Sequence, residues 1–295
     1  MGKFLTRGTI DLSNDKLKGE MGMKSSATGS KIFVTIMYVV MVAVNAMAVL
    51  LPLNGVTTQE VSDSYPNLFA PAGVTFSIWS VIYTLLLLFV IYQWLPPKPK
   101  SLLADPPIAR KIRGLFILTS ICNSLWIFAW QYFYVGLSVI IMLVFLVSLI
   151  YGSVLLARTK KTKLDYWLIR LPFSVYFGWI TIATIADIIA FFVDKKLAFI
   201  NDHQVGWTIA ILIVGLAIIV FTTWFNLDIA YGITTIWGYA GILIKHQAAT
   251  DGFNGKYPSI MTTVVVCLVV IAIACVVAAF RLRGQRTRSG SFLEN

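Results

Sequence analysis

Charge is what this chain of 295 residues has least of. Charged residues make up 13 % of it and hydrophobic residues 58 %, whereas soluble domains carry roughly a quarter charged residues. That balance excludes an ordinary soluble domain and indicates an integral membrane protein. Cysteine is scarce too. Cys122, Cys267 and Cys275 all fall inside apolar runs without CxxC spacing, so they read as small buried hydrophobes, not as disulfide partners or metal ligands. The two histidines, His203 and His246, fall in stretches read as separate outer loops, and neither belongs to an HxxxH or HExxH pattern. No metal is expected, and no cofactor is required. The chain holds no Asn-x-Ser/Thr sequon, so nothing marks a glycosylated outer face. GxSxG, Walker A and dinucleotide-binding glycine patterns are missing as well. No nucleophile stands at a recognisable distance from a base, and no enzyme is expected.

Long apolar runs are abundant. A bilayer core needs about 20 apolar residues per helix, and eight stretches meet or approach that length. They are Ile32–Leu53, Ala72–Trp94, Leu115–Tyr132, Gly136–Ala157, Leu168–Phe192, Trp207–Phe225, Ile229–Ile244 and Ile260–Phe280. Barrel strands would alternate apolar and polar over about ten residues; these runs do not, so the expected fold is an all-α bundle of eight transmembrane helices. With both termini on one side, the N-terminal tail, the loop around Pro96–Arg113, the stretch Arg158–Arg170 and the C-terminal tail hold twenty Lys and Arg. The opposite side holds only Lys195, Lys196, Lys245 and Lys256. Positive residues accumulate on the cytoplasmic side, which places both termini there. The same asymmetry favours a hairpin turning at Asn226-Leu227-Asp228 over a re-entrant piece. Small residues Ala230, Thr234 and Gly238 would let its short second arm pack closely on a neighbour. Residues 1–30, polar and mixed in charge, read as a disordered tail, and 282–295 as a basic tail. The net charge of +11 is thus explained by topology and by anionic lipid, and nucleic acid is not an expected partner.

Few residues could carry chemistry. Asp187 is the one acid inside an expected helix, and a carboxylate in hydrocarbon costs on the order of 2.5–3.5 kcal/mol. It is either a ligand or proton site, or an acid near the interface satisfied by hydroxyls or water. Asp228, in the turn before Ile229, suits a helix cap. Aromatic residues recur at helical spacing: Phe76, Trp79 and Tyr83 in one segment, Asn123, Trp126 and Trp130 in the next, Tyr176, Trp179, Ala183 and Asp187 in a third. Trp79, Trp126 and Trp179 lie deeper than the interfacial belt where Trp usually collects. A deep indole wants an acceptor for its N–H, which a bundle interior or a ligand pocket provides. Core packing and a pocket wall both account for the ladder.

These segments, in this order, resemble the TspO/MBR family of translocator proteins and tryptophan-rich sensory proteins. The resemblance covers about Ile32 to Phe192. It rests on the Pro71 loop leading into Trp79-Ser80-Val81-Ile82-Tyr83, on Asn123-Ser124-Leu125-Trp126, on a basic loop before the fifth segment, and on Tyr176-Phe177-Gly178-Trp179 followed by Ala183-Thr184 and Asp187. The resemblance implies a five-helix core over 31–193; the three additional helices expected over 194–281 have no counterpart in the short family members. It also implies a pocket for a tetrapyrrole-, sterol- or lipid-like ligand, lined by Phe76, Trp79, Tyr83, Asn123, Trp126, Tyr176, Trp179, Ala183 and Asp187, with a porphyrin or heme-like molecule among the candidates. The implied roles are sensing, stress response or ligand movement, in a multi-pass protein of the cell membrane. Membrane lipid, the ligand and at most a second copy of the chain are the expected partners. The chain departs from the family at Gly73, Thr75 and Ser77, where aromatic and Pro residues are usual, at Ile127-Phe128 in place of Ser-Pro, and at Asp187 in place of Asn. The rival expectation is a proton-coupled secondary transporter with Asp187 as coupling group.

Overall fold

The computed structural model describes the backbone of residues 12–51, 53–197 and 202–291, and side chains over 27–51, 53–197 and 202–284. Among the described residues every regular element is helical. Where lipid surrounds the chain this is the economical solution, because a helix satisfies its own backbone groups. The helices are α1 (Leu12–Leu50), α2 (Thr58–Asp63), α3 (Ile78–Tyr92, preceded by a 3₁₀ stretch Gly73–Ser77), α4 (Pro106–Gln131), α5 (Val135–Arg158), α6 (Lys163–Asp165), α7 (Leu171–Asp194), α8 (Gln204–Asn226), α9 (Ile229–Gln247) and α10 (Pro258–Ser291).

Seven helical segments are long and apolar enough to cross a membrane. The exception among the eight expected spans is α9, whose 19 residues include Tyr231, Gly232, Thr234, Thr235, Gly238, Tyr239 and Gly241. The N-terminal stretch also differs from expectation. The helix begins at Leu12, far ahead of the apolar run, in a stretch free of proline that reads as a disordered tail. Residues 1–11 and 292–295 of the expected tails lie outside the described residues.

Helix ends follow local chemistry. Asp105 caps α4 by accepting the Ile108 N–H at 3.1 Å, with Pro106 in the first turn, where its missing N–H costs nothing. Pro172 sits at the start of α7 and would clash with a carbonyl one turn back. The preceding turn, Tyr166–Arg170, widens to a π-helix, which makes room for it.

Packing runs α1–α4–α5–α7, with α3 against α1 and α7; α9 then joins α7 to α10, and α8 lies on α10. The α7–α9 contact uses Thr234 and Gly238 of the small residues noted above. A Cβ on Gly178 would stand 2.8 Å from both the Thr234 Cβ and the Tyr231 carbonyl oxygen, and one on Gly238 would stand 2.9 Å from Ile182 Cγ1. Only helices without side chains at these points approach so closely. On its other side, Gly232 of α9 meets Cys275 of α10. The α8–α9 hairpin turns at Leu227, in the left-handed region at φ 48°. Asp228 then caps α9 through the Tyr231 N–H at 3.2 Å and accepts the Ser174 hydroxyl at 2.6 Å. Arg170 donates to the Asn226 carbonyl at 2.7 Å, so the hairpin is fastened to the root of α7.

A second acid is spent on structure at the same end. Asp165 is fully buried and its carboxylate accepts from Tyr92 (3.0 Å), Ser101 (2.7 Å), the Leu102 N–H (3.1 Å), and both the N–H and the hydroxyl of Thr162 (3.0 and 2.8 Å). Those donors staple the loop after α3 to the loop before α7.

Candidate functional site

At the opposite end, the segment Leu53–Ser77 folds over the bundle. Asn67 organises it locally, its side-chain oxygen accepting the N–H groups of Phe69 and Ala70 at 2.9 and 2.8 Å. On one flank it is held to α4: Trp130 Nε1 donates to the Thr58 carbonyl and Asn54 to the Gln131 carbonyl, both at 3.0 Å.

Beneath this segment lies a narrow cavity of about 40 Å³. Six of the nine residues expected from the sequence line it: Phe76, Trp79, Trp126, Trp179, Ala183 and Asp187. Ala70 and Pro71 close it from the loop, and Trp130 borders it from α4. Trp79 is the centre of an aromatic stack. Its ring lies 5.5 Å from Tyr83 and 6.3 Å from Trp126 in stacked geometry, and 6.1 Å from both Tyr176 and Trp179 edge-on. Offset and edge-to-face pairs of this kind add about 0.5–1.5 kcal/mol each beyond burial.

The other three expected residues sit elsewhere. Tyr83 faces a second, wider groove of about 520 Å³ between α1 and α3, where Phe76 and Trp79 form the shared wall. Asn123 and Tyr176 line neither space. Both are fully buried below Trp79 and consume each other's polar groups: Asn45 donates to Asn123 (2.5 Å), and Asn123 donates to the Tyr176 hydroxyl (2.9 Å). A buried amide must find partners, and these two form the floor of the site instead of its lining. In the sequence Asn45 shows only as a lone amide in the first apolar run.

Asp187 is 2 % exposed and touches Ser138 Oγ at 2.9 and 3.0 Å. That hydroxyl also faces the Val135 carbonyl at 2.8 Å, and it has one proton for two acceptors. The acid is therefore buried and met by a neighbouring hydroxyl, as one of the two expectations for it had it. The Trp126 indole is its other polar neighbour, although that N–H completes no hydrogen bond; nor does the buried Trp179 N–H among the described residues. The site thus combines an apolar, aromatic wall with an acid, the Trp126 indole beside it, and a Trp179 N–H without a partner among the described residues. His246, expected in a loop, lies in the last turn of α9. Among the described residues no three His, Cys, Asp or Glu side chains gather as a metal site would need.

Long apolar helices and a buried aromatic site roofed by a loop define a multi-pass helical membrane protein. The sequence pattern of the family described as TSPO-like protein matches residues 31–277, and the chain belongs to that family. The matched span takes in α8, α9 and most of α10 as well as the five-helix stretch on which the resemblance rested. Comparison with curated proteins and with solved structures returned no match.

Proposed function

We propose that this protein binds a small hydrophobic or amphipathic ligand, of tetrapyrrole, sterol or lipid type, in the space walled by Phe76, Trp79, Trp126, Trp179, Ala183 and Asp187. It would act in sensing, stress response or ligand movement, not as an enzyme. The observation that carries this reading is the convergence of three helical stretches on one cavity where the Trp179 indole N–H lacks a partner among the described residues. An unpaired buried donor costs about 1–3 kcal/mol, and a ligand oxygen beside Trp179 would relieve that cost. Tyr83, Asn123 and Tyr176 support the site from behind and beside it. The carboxyl at 187, where the family has Asn, favours a ligand that donates a hydrogen bond or carries positive charge.

The proposal includes the membrane arrangement. With α9 as an eighth, protein-embedded span, both termini face the cytoplasm of a cell membrane and the Leu53–Ser77 segment faces outward. The five-helix core spans 31–193 and the remaining helices 194–281. Lipid is the standing partner, and a homodimer remains part of the expectation.

Binding is checked by tryptophan quenching with a panel of protoporphyrin IX, heme and a sterol. Saturable quenching is expected for at least one of them, weakened by tenfold or more in Trp179→Ala; equal affinity in the wild type and in both Trp79→Ala and Trp179→Ala rules the site out. A second reading, proton-coupled transport, draws on the burial of Asp187 against a single hydroxyl. Proton-coupled uptake in liposomes that survives Asp187→Asn would remove the acid from that role.

A further inference from the structure

The segment that roofs the cavity is fastened on its second flank by α9, a helix far away in sequence. The Ala72 N–H donates to the Gly241 carbonyl at 3.0 Å, and Trp237 Nε1 donates to the Thr75 carbonyl at 3.0 Å. His246 Nε2 meets the Leu68 carbonyl at 2.9 Å. A carbonyl only accepts, so that ring nitrogen carries the proton. Lys245 adds an ion pair to Asp63 at 3.3 Å, half-exposed and so worth little. Gly241 has no side chain where Thr75 presses against it; a Cβ there would collide with the threonine side chain.

These contacts land on the residues that shape the opening. Leu68 and Ala72 bracket Ala70 and Pro71, and Thr75 directly precedes Phe76; Ala70, Pro71 and Phe76 all line the cavity. The helix that holds them is itself rigidly mounted. It is locked to α7 through Gly178 and Gly238 and to α10 through Gly232. Its C-terminal end is closed by the Phe253 and Gly255 N–H groups on the carbonyls of Lys245 and His246, at 3.0 and 2.8 Å. The His246 ring is wedged against Phe253 and Tyr257, with centroids 4.7 and 5.8 Å away. By contrast, a cavity of 40 Å³ is far below the ≈ 300–1,000 Å³ of typical ligand pockets. A ligand of the proposed class needs more room than that, and Ala70 and Pro71 are walls that come from a loop and not from a long helix.

We propose that Trp237, Gly241 and His246 of α9 are positioning residues for the mouth of the ligand site, setting how readily the Leu68–Phe76 segment lifts and hence how fast ligand exchanges. This rests on the ligand-binding reading above, and it makes α9 a working part of the site instead of an accessory to the five-helix core. Roof opening is then the rate-limiting step for exchange, and its frequency depends on donors that never touch the ligand.

The test is amide hydrogen exchange of the full-length protein in detergent, without ligand, for the wild type, Trp237→Phe and His246→Ala. Trp237→Phe keeps an aromatic ring and removes only the donor. Loss of one such hydrogen bond is worth about fivefold in an opening equilibrium. The Ala72 and Thr75 amides are therefore expected to exchange about fivefold faster in each variant, while amides in the middle of α5 stay at the wild-type rate and certify the fold. Unchanged exchange at Ala72 and Thr75 in both variants overturns the proposal, and faster exchange throughout the chain overturns it equally, as a purely structural role. Protoporphyrin IX stopped-flow on the same proteins adds the kinetic arm: association and dissociation should both quicken about fivefold with similar saturation. If the wild type binds no porphyrin, the ligand reading fails for that probe, and the exchange result still decides the role of α9.

Discussion

Asp165→Ala should lower the melting temperature of the detergent-solubilised protein by roughly 6–12 °C. Five donors converge on that carboxylate, from Tyr92, Ser101, Leu102 and Thr162. Each buried donor left without a partner costs about 1–3 kcal/mol. Even with relaxation and water entry, the sum exceeds about 3 kcal/mol, a large part of the 5–15 kcal/mol that holds most domains together. Asp165→Asn should fare little better, because its amide would point two N–H donors at groups that are donors themselves. Melting followed by tryptophan fluorescence distinguishes the cases. A shift of about 2 °C or less in Asp165→Ala, under 1 kcal/mol on the same scale, would mean that water substitutes freely at the staple and that it contributes little.

Gly178→Leu should prevent the C-terminal helices from docking on the core. The first added carbon would already lie 2.8 Å from the Tyr231 carbonyl oxygen. That oxygen belongs to the backbone of α9, which cannot swing aside as a side chain can, so α9 as a whole must retreat from α7. Over-packing costs typically about 1–3 kcal/mol in a core that can adjust, and here the adjustment would pull Gly238 off Ile182 as well. Gly114 is the control. It also sits inside a helix, α4, yet a Cβ there meets nothing within 4 Å. Gly114→Ala should be neutral or slightly stabilising, since glycine in a helix costs about 1 kcal/mol relative to alanine. Size-exclusion profiles and melting curves report both; a monodisperse Gly178→Leu protein melting like the wild type would contradict the close α7–α9 contact.

What could be seen in the sequence was whatever depends on short spacing. The aromatic ladder was visible because residues three and four apart share a helix face, and Phe76, Trp79, Trp126, Trp179 and Asp187 do reach one cavity. Thr234 and Gly238, four apart, announced a close helix contact for the same reason. Pairings between distant positions leave no such trace. Trp237 and Thr75 are 162 residues apart, and His246 and Leu68 are 178 apart. Neither partner looks unusual alone: Trp237 passes for one more membrane tryptophan, and His246 follows a lysine, as a loop residue often does. Asp165 was likewise hidden within a basic stretch whose charges serve topology. Asn123 and Tyr176 matched the family pattern, and only the path of hydrogen bonds from Asn45 through Asn123 to Tyr176 shows that their polar groups are spent on each other.

If the space between Trp79, Trp126, Trp179 and Asp187 takes up the ligand, photolabelling will mark its walls. The full-length protein in lipid nanodiscs is irradiated with diazirine-bearing porphyrin and sterol probes, and the labelled peptides are sequenced with and without excess unlabelled competitor. Competitor-sensitive label is expected on residues 70–79, 126–130 and 179–190. Label confined to outward-facing residues such as Val147 of α5 or Val269 of α10, and insensitive to competitor, would contradict it.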